Sequence, residues 1–316
     1  MTAQQAQTVH RLEGLEPNNL LAFLALLGLL RALEAADARE SDSRMRVKAR
    51  VSWSINAFPL RPRLHLARSM TQQDVAVHAA TGVGILATVY KFDGLAKLKL
   101  TPEQARQKLI ETARAMDELR MPRAELLAAL ISDMAVREKG KTVERTPFCL
   151  LDVAQTSFLK NLAAVLSSIN GQQEAIEKAT FHPWTWVDET PSFRWDPIED
   201  TRHAYRWAAP TDDKQTVEHG ANVLAAVGLP VLTVVPQQHG SSVRLRVIGG
   251  ANKGGEFFFA WPIWREPASL AAIRALLTHV DLWKNKALDY LGVDHVMVTR
   301  RIVPSRYMNF TPAKPL

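Results

Sequence analysis

Leu20, Leu21, Phe23, Leu24, Leu27, Leu30 and Leu33 lie close together in one stretch. At about 100° per residue they cover most of the circumference of a helix. A helix without a polar face is normally buried, in the chain's own core or against a partner. Pro17 and Asn18-Asn19 supply its entry chemistry, and a helix is predicted over Asn18–Ala38. Gly28, inside it, permits the close approach of another backbone. The unbroken apolar run ends at Arg31, short of the about 20 residues needed to cross a bilayer. Met1–Thr8 is polar and has none of the basic character of a secretory signal. The expectation is a cytoplasmic protein with no membrane partner. A chain of 316 residues can bury such a helix without metals or disulfides. Its one cysteine, Cys149, sits in the apolar run Phe148-Cys149-Leu150-Leu151 and reads as core.

The next segment changes period. Arg44, Arg46, Lys48 and Arg50 alternate with Met45, Val47, Ala49, Val51 and Trp53, the pattern of a strand with one apolar and one cationic face. Arg61, Arg63 and His65 alternate in the same way with Leu60, Pro62, Leu64 and Leu66. Paired as a hairpin, the two put both basic sets on one face, with Pro62 placing the second strand at an edge.

Farther on, Val83–Tyr90 reads as a strand or a buried helix end. Helices are predicted over Pro102–Leu119, Pro122–Arg137, Ser157–Ser168, Thr216–Val227 and Pro267–His279, with a second helix through Tyr290. Strands are predicted over Pro230–Val235, Ser242–Ile248, Glu256–Trp261 and His295–Val303. Phe181–Pro210 crowds Trp184, Trp186, Phe193, Trp195, Tyr205 and Trp207 among prolines and reads as an irregular arm that contacts another subunit or nucleic acid, chiefly through Trp184, Trp186 and Trp195; the alternative is that this protein's own core takes the rings. The fold class is mixed α/β, of the α+β kind, with helical segments and antiparallel strands bearing basic faces. Residues 1–180 carry the basic hairpin and 181–316 the arm and a C-terminal α/β part, as two domains or one continuous one.

No P-loop, dinucleotide fingerprint, zinc-protease helix or nucleophile elbow is present. No catalytic residue, metal ligand or cofactor is assigned. Asp196, Asp200, Asp212 and Asp213 leave a metal-dependent nuclease as the rival reading, although they fall in loop-like sequence. A purely structural subunit is the third.

The positive features are cationic. The chain has 39 lysines and arginines against 32 acids, a net charge of +7, which favours a polyanionic partner. Arg44, Arg46, Lys48 and Arg50, with Arg61 and Arg63, suit a phosphate backbone; the alternative is a solvated face that discourages edge pairing. Arg244 and Arg246 repeat the alternation beside the turn Gly249–Gly255, where backbone N–H groups, Asn252 and Lys253 are placed to meet phosphates or base edges, or simply form a hairpin tip. Arg300, Arg301 and Arg306 form a third cluster.

Three stretches resemble one family. Leu12-Glu13-Gly14-Leu15-Glu16-Pro17 with the leucine run to Arg31, Trp195-Asp196-Pro197 with Asp200, Arg202, Tyr205 and Arg206-Trp207, and His219-Gly220-Ala221-Asn222 with Leu229-Pro230 are similar to large subunits of type I-G (formerly I-U) CRISPR effector complexes. The resemblance implies a non-catalytic subunit that works with guide RNA, target double-stranded DNA, other Cascade subunits and a separate helicase-nuclease. It also implies help in recognising a target-adjacent motif and opening the duplex, with sequence readout left to guide–target pairing.

Overall fold

A computed structural model of the chain describes residues 5–90, 95, 97–114, 121–137, 141–151, 157–167, 172–199, 216–303 and 308–316. The first elements are strand β1 (Gln7–Arg11), helix α1 (Leu20–Asp37), strands β2 (Arg50–Trp53) and β3 (Pro62–Met70) and helix α2 (Gln72–Ala87). Helices α3 (Pro102–Arg114) and α4 (Met121–Leu130) lead into a ribbon of β4 (Ile131–Val136) and β5 (Val143–Arg145), then α5 (Phe158–Ser167) and α6 (Gln172–Phe181). The last third holds α7 (His219–Gly228), a ribbon of β6 (Val234–His239) and β7 (Ser242–Val247), a hairpin of β8 (Gly250–Lys253) and β9 (Glu256–Trp264), α8 (Leu270–Thr278), β10 (Val293–Ile302), β11 (Asn309–Phe310) and β12 (Lys314–Pro315). Every ladder between these strands is antiparallel, and the class is mixed α/β. No helix among the described residues is long and apolar enough to cross a membrane.

Helix α1 is the axis that its composition requires: each residue from Leu20 to Leu33 is buried. Asn19 caps it, its side-chain oxygen accepting from the N–H of Leu21 and Ala22. Helix α7 crosses it at a point where two glycines meet; a Cβ on Gly28 would lie 1.8 Å from the Leu224 oxygen, and one on Gly228 would lie 2.2 Å from the Leu24 oxygen. The other side of α1 meets the largest sheet, where Phe23 stacks on Trp261 at 5.2 Å between ring centroids. The Trp264 indole donates to the Val51 carbonyl, tying that sheet to the N-terminal one. Residues on both sides of position 180 therefore share one core.

The N-terminal sheet has the order β1-β3-β2. The hairpin pairs as expected, Arg50 opposite His65 and Ser52 opposite Arg63, so those side chains share a face. Two details differ. Strand β3 is central because β1 covers its other side; Pro62 is tolerated as the strand's first residue. Residues 44–49 form no strand: Arg44 and Met45 lie in a turn and 46–49 are irregular. Lys48 has φ 45°, and the segment is fixed instead by the Asp37 carboxylate, which accepts from the N–H of Val47 and Lys48 at 2.8 Å each. The one-sidedness survives without a ladder: Val47, Ala49 and Val51 are buried, while Lys48 and Arg50 are exposed.

Other boundaries shift for local reasons. The predicted helix from Pro122 ends at Leu130, and Ile131–Val136 pairs with β5 instead. Val83–Tyr90 is the end of α2 and its following turn. Pro230 sits in a single 3-10 turn before β6, and the second helix expected up to Tyr290 is a series of turns.

The aromatic arm is also different from the expectation. Trp184 and Trp195 are buried in the chain's own core, so these two rings are not presented to a partner, whereas Trp186 is half-buried against that core. Trp195 stacks on Phe193 at 4.4 Å and donates to the Phe148 carbonyl. Asp196 accepts from the Asn19 amide at 3.0 Å, from the Trp186 indole at 2.9 Å and from the Ile198 N–H at 3.1 Å. Asn222 of α7 accepts from the Phe193 N–H. The described parts of the three family-like stretches thus meet in one packed region around the start of α1.

Candidate nucleic-acid interface

Along β7, Leu245 and Val247 are buried, which turns Arg244 and Arg246 to the opposite side. They face a groove of about 870 Å³ between the β4–β5 ribbon, the β6–β7 ribbon and the β8–β9 hairpin. Among the described residues, five arginines line it, Arg137, Arg145, Arg244, Arg246 and Arg301, and the one acid is Glu144. Its carboxylate is engaged, accepting from Arg244 Nη1 and from the Leu245 N–H at 2.8 Å each, and so joins the two ribbons. A neighbouring hollow of about 290 Å³ shares Arg137 and Arg145 and adds Lys97 and Lys99.

Arg301 lies at the floor, its guanidinium 5.8 Å from the Phe257 ring centroid and Nη1 donating to the Pro147 carbonyl. Burial, and the Arg145 guanidinium beside it, pull Arg301 below its ordinary pKa. An arginine nevertheless keeps its proton at neutral pH, so two like charges stand together in a partly desolvated place. A cleft lined mainly by one sign of charge concentrates counter-ions.

The structure sorts the sequence-assigned residues. Arg244, Arg246, Asn252 and Arg301 line the groove, and Lys253 stands beside it with its ammonium 4.6 Å from the ring centroid of the lining residue Trp283. The glycine run makes two separate turns. Gly249 packs under Phe259, whereas Gly254 and Gly255, at φ 58° and 82°, form a two-residue hairpin tip on the rim. Arg300 points away from Arg301, as neighbours on a strand must, and pairs with Glu256 at 3.1 Å. Arg306 lies outside the described residues, as do Asp200, Arg202, Tyr205, Arg206, Trp207, Asp212 and Asp213.

On the N-terminal sheet, Lys48, Arg50 and Arg63 are exposed and form no ion pair among the described residues. Arg44 is paired with Asp42, Arg46 donates to the Glu40 carbonyl, and Arg61 is held by Glu16 and the Glu13 carbonyl. These local partners remove Arg44 and Arg61 from the free cationic face.

Sequence reasoning missed Arg137, Arg145, Lys97 and Lys99. The last two carry the same signal as the basic hairpin, alternating with the buried Leu98 and Leu100. Arg137 and Arg145 have no local signature and converge only through the β4–β5 pairing.

Of the carboxylates between positions 196 and 213, Asp196 and Glu199 are described, and both are buried. Among the described residues no three His, Cys, Asp or Glu side chains gather as metal ligands would. Burial raises Asp196 above the usual carboxylate range. Glu199 is buried, accepts from the Ser192 hydroxyl and lies near Asp196; burial first, then that neighbour, push it up to about 7. The folded state therefore holds this proton between pH 4.5 and about 7 while the unfolded chain has released it. Stability falls as pH rises through that window, by roughly 3 kcal/mol in all. Glu199→Gln, which cannot ionise, is expected to match the wild type at pH 4 and exceed it at pH 8. Urea midpoints at both values check this, and parallel pH profiles for the two proteins would refute it.

No family model matches the chain, and no curated protein matches it significantly in sequence.

Proposed function

We propose that this chain binds nucleic acid through the arginine groove, without catalysing a reaction itself, as the large subunit of a type I-G CRISPR surveillance complex in the cytoplasm. The observation that carries the binding is the convergence of five arginines, from the end of β4 and from β5, β7 and β10, on one groove whose single acid among the described residues is already engaged. The resemblance of the α1, Trp195 and His219 regions supplies the setting: guide RNA, target double-stranded DNA, other Cascade subunits and a separate helicase-nuclease as partners. In that setting the subunit assists recognition of a target-adjacent motif, duplex opening and nuclease recruitment. No cofactor or metal is needed for this role. The exposed Lys48, Arg50 and Arg63 give a second basic surface for the same polyanion.

Lys99, Arg137 and Arg246 are exposed, so their joint replacement by alanine leaves the core untouched. Each lost phosphate contact releases about one fewer counter-ion, so the triple variant should bind more weakly whatever the sequence. Its plot of log affinity against log salt should be shallower by about two to three. Anisotropy titrations of labelled DNA and RNA at several salt concentrations measure this. Binding that is absent, or a slope that the triple variant leaves unchanged, overturns the reading.

A further inference from the structure

We infer that the groove takes an unpaired nucleotide strand, with one base stacked on Trp283. This rests on the reading of the groove as a nucleic-acid site and adds which form of nucleic acid it holds. Trp283 lines the same cavity as the five arginines and is itself half-buried, its ring braced against the core. A braced ring beside a row of cations provides the two parts that single-strand recognition uses: charges for the backbone and a flat apolar surface for a base. In a duplex every base face is already covered by its neighbours. A ring at the side of a groove is therefore reached only by a base that has left the stack.

The Lys253 ammonium now covers Trp283 at 4.6 Å from the ring centroid. Magnitudes decide which group keeps the ring. An exposed cation–π contact is worth about 2- to 5-fold in affinity, and a base stacked on an aromatic side chain about 5- to 100-fold. The base displaces the ammonium, and the exposed, flexible lysine moves to a phosphate of the same strand. Gln237, His239 and Asn252, also in the lining, offer polar atoms at the base edge.

The test compares the full chain on labelled oligomers of one length: unpaired DNA, unpaired RNA, duplex DNA, and an unpaired DNA strand without bases. Stacking does not release counter-ions, so its loss lowers affinity without changing the salt slope. Trp283→Leu keeps apolar bulk without the ring, and Trp283→Phe keeps a smaller ring. The leucine variant should bind unpaired DNA and RNA about 5- to 100-fold more weakly at an unchanged slope, while the phenylalanine variant recovers part of the loss. The wild type should lose a similar factor on the strand without bases. Lys253→Ala should instead reduce the slope by about one. A loss confined to DNA or to RNA supports the inference and identifies the strand. The inference fails, with the groove reading intact, if salt-dependent binding persists and either the duplex binds at least as tightly as the unpaired strands or the base-free strand binds as tightly as the normal one. Absence of salt-dependent binding overturns both.

Discussion

Gly28→Ala is expected to prevent stable folding. Elsewhere in a helix this exchange stabilises by about 0.5–1 kcal/mol, because glycine loses more backbone freedom on folding. At position 28 the new methyl would stand 1.8 Å from the Leu224 carbonyl oxygen, with the Gly228 nitrogen at 3.1 Å. Both obstacles are backbone, so no rotamer change relieves the clash. Helices α1 and α7 must separate, and every side chain buried between them loses its packing. Overpacking of a core usually costs about 1–3 kcal/mol. Here the strain falls between two buried helices, and the expected loss is at least about 4 kcal/mol, a large part of an ordinary domain's stability. Soluble yield and urea unfolding measure it. Gly84→Ala in α2 is the control: nothing lies within 4 Å of a Cβ there, so that variant should be as stable as the wild type or slightly more so. If Gly28→Ala unfolds within about 1 kcal/mol of wild type, α1 and α7 do not meet as described.

Asp37→Ala should be nearly as damaging, and its effect should reach the basic surface. A carboxylate at the C-terminal end of a helix opposes the helix dipole, so Asp37 needs compensation. It accepts from the N–H groups of Val47 and Lys48 and from His78 Nε2 at 3.0 Å. Removing it strands two backbone donors and an imidazole; two of the three are only partly buried, so each falls near the lower end of the about 1–3 kcal/mol for an unsatisfied buried group and the loss should be about 3–4 kcal/mol. Asp37→Asn keeps one acceptor oxygen and should cost roughly half as much. The same bonds hold the segment that presents Lys48 and Arg50, so trypsin should cut after Arg46 and Lys48 faster in the alanine variant. Unaltered stability together with unaltered cleavage would remove Asp37 from this role.

What could be read in advance divides by the range of the interaction. Helix α1 was legible because its pattern is local and admits only one environment. The alternation in 44–51 was legible as one-sidedness but not as irregular backbone, since the pattern records which side chains are buried and not the backbone angles that bury them. The central place of β3 depends on β1, more than 50 residues away in register, and no local pattern reports that. Trp184, Trp186 and Trp195 suggested a partner because they lie in sequence without periodicity. Irregular backbone can still wrap a core, and Asn19 reaching Asp196 is what binds this loop to the head of α1. The groove was half legible. Arg244, Arg246 and Arg301 came from local patterns, whereas Arg137 and Arg145 join them only through tertiary pairing.

The adjacent arginines of β10 make the groove sensitive to counting as well as to chemistry. From Val296 to Arg300 the strand runs in unbroken step with β9, and successive residues turn to opposite sides. One residue inserted in that stretch would exchange the two sides. Arg301 would leave the groove floor for the exposed side where Glu256 now holds Arg300, and a core position would receive a side chain meant for solvent. Two inserted residues would restore the sides. The regular stretch of β10 from Val296 to Arg300 can therefore change length without exchanging its sides only in even steps, and an alignment of true relatives should be free of single-residue gaps there.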